Sequence, residues 1–238
     1  MRLKAIVDEM KRFGAVKTLQ DLGLRGFNRL MTARVLKGVT IRTVDPEFLK
    51  CDKPYRGGFL SESQLGELVR NRPEYEMSGQ FLREAFAKGD ECYGFVDGGV
   101  LAAYGWYSNR PTAIDAPGME LHFDSRYIYM YKGFTHEKYR GQRLHAIAMT
   151  RALEAYLEKG FHGLVSYVEW NNFGSLKSCY RIGYMDFGNL YLVKPFGRYV
   201  TWADRSCTSY GFRLEHAPEV RPEPRVQAAH FTASDQSR

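Results

Sequence analysis

Residues 127–146 read Y-I-Y-M-Y-K-G-F-T-H-E-K-Y-R-G-Q-R-L-H-A, an aromatic run, then a basic turn, then the opening of a helical pattern. The first eight residues, 127–134, have the composition of a strand. Beyond Gly141, the residues Leu144, Ala148, Met149, Ala152, Leu153, Ala155 and Tyr156 share one broad apolar helical face that stops at Gly160. A turn between strand and helix exposes the unpaired first amides of the helix, so residues 135–146 predict an anion site, with phosphate the favoured anion. Residues 164–168 form a short apolar segment of buried type. Strand, helix, strand requires a crossover, which predicts that 164–168 lies parallel beside 127–134.

Working outward, residues 1–37 predict two short amphipathic helices broken near Gly14 and Gly23 to Gly26, with Gly38 as their stop. Residues 39–44 alternate as a half-buried strand, and Asp45-Pro46 supplies an N-cap followed by proline. The Pro and Gly content of 51–59 predicts a loop. Ser61 and Gln64 make a capping box for a helix to residue 69, and a second helix is expected from 74 to 87, closed by Lys88-Gly89. Asp97-Gly98-Gly99 joins strands 92–96 and 100–108 in a hairpin. Residues 109–118 read as a loop suited to substrate contacts. After a short helix at 175–182 that ends on Gly183, strands 184–193 and 198–203 flank Lys194-Pro195-Phe196-Gly197, and a last short strand is expected at 209–214. Residues 217–238 are polar, contain Pro218, Pro222 and Pro224, and read as a disordered tail.

The 238 residues suffice for one large domain. No apolar run approaches the length of a membrane span and the amino terminus has no signal-peptide core, so a cytoplasmic location is expected. Cys51, Cys92, Cys179 and Cys207 are scattered without a C-x-x-C pair, which predicts reduced thiols and no metal site. The net charge is +7, and residues 1–37 hold nine Lys or Arg against three Asp or Glu. That concentration is read as a solvated basic helical face, with a peripheral contact to anionic lipid or an acidic partner as the alternative. No nucleic-acid motif accompanies it, so no nucleic-acid partner is expected.

The stretch T-H-E-K-Y-R-G-Q-R-L-H-A, Thr135 onward, and the downstream N-N-F-G-S-L-K-S-C-Y-R-I-G-Y together resemble the GNAT superfamily of N-acyltransferases. The first resembles the pattern V-x-P-x-Y-R-G-x-G-x-G/A, matched at Tyr139, Arg140 and Gly141, with Glu137 on the proline position. The second resembles N-x-x-A/S followed by a short helix, matched at Asn172, Ser175, Arg181, Gly183 and Tyr184. The resemblance spans about residues 39–214. It implies an α/β (α+β) fold with a central mixed, mostly antiparallel sheet, a parallel strand pair splayed at the cofactor site, and flanking helices. It implies domain limits of 1–37 for a basic extension, 38–216 for the acyltransferase domain and 217–238 for the tail. It also implies acetyl-CoA or another acyl-CoA as co-substrate, no metal, and direct attack by a primary amine of a small molecule. A homodimer is left open.

Carried over position by position, the resemblance implies cofactor contacts at Phe134, Thr135, Arg140, Gly141, Gln142, Arg143, Leu144, His145, Asn172 and Ser175. Arg143 and His145 stand where the pattern has glycine. Amides in helical geometry still donate there if the side chains turn aside, and Arg143 offers added charge for a phosphate. Asn172 and Ser175 read equally well as caps of the short helix. The tyrosine that many members use to protonate the leaving thiolate is replaced by Cys179, with Tyr180 one residue on, so Tyr180 is the candidate acid and a rim aromatic is its alternative. An amine nucleophile needs a base and an oxyanion donor. Glu120, His122, Glu137 and Glu169 all fall near strand ends or loops; Glu120 and Glu169 are the candidates for the base, beside a chain of waters. The oxyanion donor is expected to be a backbone amide near Phe134 or Thr135. Two other readings stay open: a non-catalytic acyl-CoA or protein-binding domain, and a long-chain transferase using acyl-carrier protein at a membrane surface.

Overall fold

The computed structural model describes residues 14, 16–18, 20, 32–51 and 55–218. The expected amino-terminal helices and the tail from 219 onward lie outside the described residues or nearly so. In chain order the strands and helices are β1 (Thr32–Ile41), β2 (Arg56–Leu60), α1 (Glu62–Val69), α2 (Gly79–Lys88), β3 (Glu91–Asp97), β4 (Val100–Ser108), β5 (Thr112–Ala113), β6 (Met119–His122), β7 (Ile128–Thr135), α3 (Leu144–Glu158), β8 (Leu164–Glu169), α4 (Phe173–Arg181), β9 (Met185–Lys194), β10 (Val200–Ala203) and β11 (Arg213–His216). Eight strands make one sheet in the order β10-β9-β1-β8-β7-β4-β3-β2, and β11-β6-β5 make a second, smaller one. Among the described residues every pairing is antiparallel except β7 with β8. The fold is therefore the mixed, mostly antiparallel sheet with one parallel pair that the resemblance implies.

Strand alternation sorts the apolar residues into cores on the two faces. Ile128, Met130 and Leu164 face α3 and pack with Ala148, Met149, Ala152, Leu153 and Tyr156. Tyr127, Tyr129 and Val165 turn the other way, onto the small sheet through Met119, Leu121 and Leu214. A third cluster seats α1 and α2 on β3 and β4 through Leu65, Leu82, Tyr104 and Trp106. Tyr131 packs against both of the latter clusters.

Several local expectations are corrected. The first strand begins at Thr32, so the expected boundary between 37 and 38 falls inside it, and Gly38 stops no helix. Gly38 sits at a register shift, where the Phe187 ring would lie 2.7 Å from a Cβ at 38. Residues 56–60 are a strand and not a loop: the Phe95 ring lies against Gly57, which makes that glycine a close approach and not a turn. The helix expected at 74–87 is broken. A 3₁₀ turn, Pro73–Tyr75, ends on left-handed Glu76, and α2 restarts behind its cap Ser78, whose hydroxyl accepts from Phe81 N. The capping box at Ser61 and Gln64 and the left-handed Gly89 stop are as expected. The last strand comes later than expected, after a 3₁₀ segment at Arg205–Tyr210.

Candidate active site

The site begins where two strands part. β7 and β8 pair only at Ile128 with Leu164 and Tyr129 with Val165. The next step along β7 carries a bulge: Met130 faces Tyr107 and Lys132 faces Trp106, leaving Tyr131 as the extra residue. A bulge bends its strand and increases its twist, so β7 swings away from β8 at that point. Ser166 closes the crotch of this fork, its Oγ donating to Met130 O at 2.7 Å and so satisfying a carbonyl the ladder has abandoned. Replacing Ser166 with alanine should cost about 1 kcal/mol and lower Tm by roughly 2–4 °C, measured by thermal denaturation.

Beyond the crotch, β7 presents one edge to the gap. His136 N donates to Ala102 O at 3.0 Å, and Phe134 faces Tyr104. By alternation the Phe134 amide also points to β4, whereas the amides of Gly133 and Thr135 point into the fork. Of the two residues expected near the oxyanion, Thr135 is thus the one whose amide faces the gap. Phe134 instead packs its ring between Tyr75 and Tyr104, with centroids 5.6 Å from each.

At the mouth of the fork the chain passes through a 3₁₀ turn, Glu137–Tyr139, into the basic loop. Gly141 has φ +79° and Arg143 φ +61°, so left-handed residues stand on either side of Gln142. Such alternation gathers successive amides into a concave cradle for an anion. Arg143 is the residue before α3, and Ile147 N is bonded back to Arg143 O at 3.0 Å, leaving the earlier amides of Leu144, His145 and Ala146 at the open helix end. A non-glycine residue in this conformation costs roughly 1–2 kcal/mol. The sequence offered the Arg143 guanidinium to a phosphate; instead it lies 4.6 Å from the Phe48 ring centre and donates to Glu47 O at 3.4 Å. Tyr55 OH donates to Gln142 Oε1 at 2.7 Å and fixes the loop from outside, beside a cavity of about 180 Å³ that Lys50 also lines. Arg140 is exposed, and the Leu144 side chain is buried in the α3 core, so its contribution can come only from its amide.

His145 turns inward. Its Nδ1 is sealed from solvent with no hydrogen-bond partner, and burial pushes the imidazole pKa below its usual 6.5. The sign follows directly: a folded pKa below the unfolded one means the unfolded chain takes up the proton first as pH falls. The stability contributed by neutral His145 is present above about pH 6.5 and is lost as pH drops through and below that value. Thermal denaturation between pH 7 and 5 should show a shallower decline in His145→Asn than in the wild type.

The second motif forms α4. Asn172 caps it, its Oδ1 accepting from Ser175 N at 3.1 Å, so the capping reading is realised; Ser175 is exposed at the same helix end. Tyr180 is not at the fork. Its hydroxyl donates to Asp186 at 2.8 Å, and Asp186 is on β9, which lies two strands beyond β8, roughly 10 Å from the gap. Lys37 holds the same carboxylate at 2.8 Å. Burial and the Asp186 bond both raise the Tyr180 pKa, and the ring lines a separate cavity of about 650 Å³ with Trp170 and Phe173. One residue around the helix, Cys179 packs against the α3 core, where burial pushes its thiol up to about 11. Neither side chain is poised as an acid for sulfur in the fork.

The two carboxylates fare similarly. Glu120 alternates with buried Met119 and Leu121 along β6, so it points to the outer face of the small sheet, near His122 and Glu215. It is not in the fork. Glu169 ends β8 on the face opposite α3, but its Oε1 accepts from Arg34 Nε at 2.7 Å and also from the adjacent guanidinium nitrogen. Arg34 in turn donates to Asp115 O, tying strand end to loop. A base there would first have to leave its arginine. Sequence reasoning missed Ser166, Gly133, Arg34 and Asp186; only Gly133, a glycine inside a strand pattern, carried a readable signal of close approach or bulge.

The profile of the Acetyltransferase (GNAT) family matches residues 60–184, just over half of the chain and the whole of the fork, loop and second motif. The chain belongs to the GNAT family. No curated protein matches it in sequence. Among solved structures it is similar to a GNAT-family acetyltransferase from Colwellia psychrerythraea, at 15% identity and TM-score 0.45, over 77% of this chain and 57% of that one. It is also similar to a GCN5-related N-acetyltransferase-like protein from Streptococcus suis, at 12% identity and TM-score 0.48, over 78% and 68%. An aminoglycoside acetyltransferase from a soil metagenomic sample matches at 12% identity and TM-score 0.42, over 56% of this chain and 90% of its own. The chain spans less than two thirds of the Colwellia protein's length. Among the described residues, no His, Cys, Asp and Glu side chains cluster to hold a metal, and no helix is long and apolar enough to cross a membrane.

Proposed function

We propose that this GNAT protein transfers an acyl group, acetyl by preference, from acyl-CoA to the primary amine of a small molecule by direct attack in a ternary complex. The observation that carries this reading is the fork of β7 and β8 opening onto a cradle of amides at residues 141–146. A diphosphate in the cradle would direct the rest of the donor into the gap. There the Thr135 amide would meet the oxygen of the thioester as negative charge develops on it, and the amine would expel the thiolate as the new amide bond forms. With the Tyr180 hydroxyl held on Asp186, the proton for the thiolate would come from solvent or from the attacking ammonium by way of water. Incubation with acetyl-CoA and a panel of amines, with released thiol as the readout, tests this; CoA release that depends on the amine is the expected result.

A second reading, a binding domain without turnover, is favoured by the bonds that hold Tyr180 on Asp186 and Glu169 on Arg34. Tight CoA binding with no thiol release from any amine would select it. Transfer from an acyl-carrier protein at a membrane would rest on the basic segment 1–37, most of which lies outside the described residues.

A further inference from the structure

The side of α4 turned away from Cys179 faces a space of its own. Phe173, Leu176, Lys177 and Tyr180 recur at intervals of three and four residues, which sets them on one stripe of the helix. That stripe lines a cavity of about 650 Å³, with Lys37 of β1 and Asp186 of β9 as its floor and Trp170 as a wall. Lys17 and Gln20 stand on its far side, and Lys17 Nζ lies 6.0 Å from the Phe173 ring centre. The volume is that of a small-molecule site. Had the stripe existed only to pack against the segment that carries Lys17, the two would close on apolar contacts. Instead they leave a gap, and a lysine faces it from each side.

Lys37 on the floor is matched by Asp186, whose carboxylate also accepts from Tyr180 OH. Lys17 and Lys177 meet no carboxylate among the described residues, so the lining carries an excess of positive charge. Like charges around one cleft concentrate a counter-ion there. Trp170 and Phe173 meet edge to face, with centroids 6.3 Å apart, and the Tyr180 ring is 45% exposed, so aromatic surface is open to an occupant. Such surface favours another ring in edge or offset contact. Among the described residues neither arginine nor glycine lines the cavity, which therefore lacks the guanidinium fork and the close backbone cradle that suit a phosphate. We propose that this cavity binds a small aromatic carboxylate, its ring against Trp170, Phe173 and Tyr180 and its carboxylate beside Lys17 and Lys177. Tyr180 thereby serves this second site and not the fork. The inference does not depend on the acyl-CoA reading above.

The test is calorimetric titration of indole-3-acetate, and of indole-3-acetamide as the same ring without the charge, into the full chain, with the indole N–H resonance of Trp170 recorded alongside to locate the ligand. The acetate should bind and move the Trp170 signal to saturation, and the amide should bind about tenfold more weakly. Both lysines are exposed, so the double variant Lys17→Gln, Lys177→Gln should fold normally. It should weaken the acetate about tenfold and leave the amide unchanged. Tyr180→Ala, which removes a ring, should weaken both ligands about threefold or more. No binding of the acetate at millimolar concentration overturns the proposal. Equal affinity for the two ligands, an equal loss of both in the double variant, an acetate affinity that the double variant leaves unmoved, or saturation without movement of the Trp170 signal overturns it as well.

Discussion

A chain truncated to begin at Gly38 should show no cooperative unfolding transition, whereas the full-length protein should melt in one. The reason is the place of β1, which lies between β8 and β9 in the middle of the sheet. It pairs with β9 from Thr32 to Thr40 and with β8 from Leu36 to Ile41. Cutting before Gly38 removes most of the β9 ladder, the fully buried Leu36 and the arginine that holds Glu169. Losing a buried leucine alone costs about 2–5 kcal/mol. With the ladder gone as well, the sum reaches the total stability of an ordinary domain, about 5–15 kcal/mol. Circular dichroism melting distinguishes the cases, and a Gly38 chain melting within a few degrees of full length would show that β1 is dispensable.

Gly141→Asp should reduce acetyl-CoA affinity by at least about 100-fold while leaving the fold intact. Aspartate tolerates the left-handed region that Gly141 occupies at φ +79°, and no atom lies within 4 Å of a Cβ there, so the folded state accepts the side chain. What changes is charge. Two like charges about 4 Å apart repel by about 4 kcal/mol at an effective dielectric constant near 20, and salt screening at this exposed loop reduces the figure. Gly141→Asn has the same shape without the charge and should stay within about fivefold of wild type. Equal losses in the two variants would mean that backbone shape, and not repulsion of a diphosphate, decides binding there.

The parts of this structure legible in the sequence are those fixed by local chemistry. The 127–146 stretch shows its strand, turn and helix because aromatic alternation, Gly141 and a 3.6-residue apolar period each act within a few residues. The capping box at Ser61 and the hairpin at Asp97-Gly98-Gly99 are local in the same way. The misreadings are long-range. Gly57 looks like loop until the Phe95 ring is placed on it. Gly38 looks like a helix stop until Phe187 is packed over it. In the site, the loop motif located the amide cradle, yet the roles of individual side chains depended on partners far along the chain. Arg143 is drawn to Phe48, Tyr180 to Asp186 and Glu169 to Arg34. No spacing rule within the motif encodes those three contacts. The glycine-position residues are explained differently: Arg143 adopts the left-handed turn a glycine would, and His145 is matched by a glycine on the strand opposite.

The central claim, that the fork and its loop hold an acyl-CoA, is tested most directly by recording backbone amide NMR spectra as acetyl-CoA is added. The amides of Gly133, Thr135 and residues 141–146 should shift together and saturate. Shifts that bypass them and gather instead around Lys37, Tyr180 and Asp186, at the separate cavity beyond α4, would contradict it.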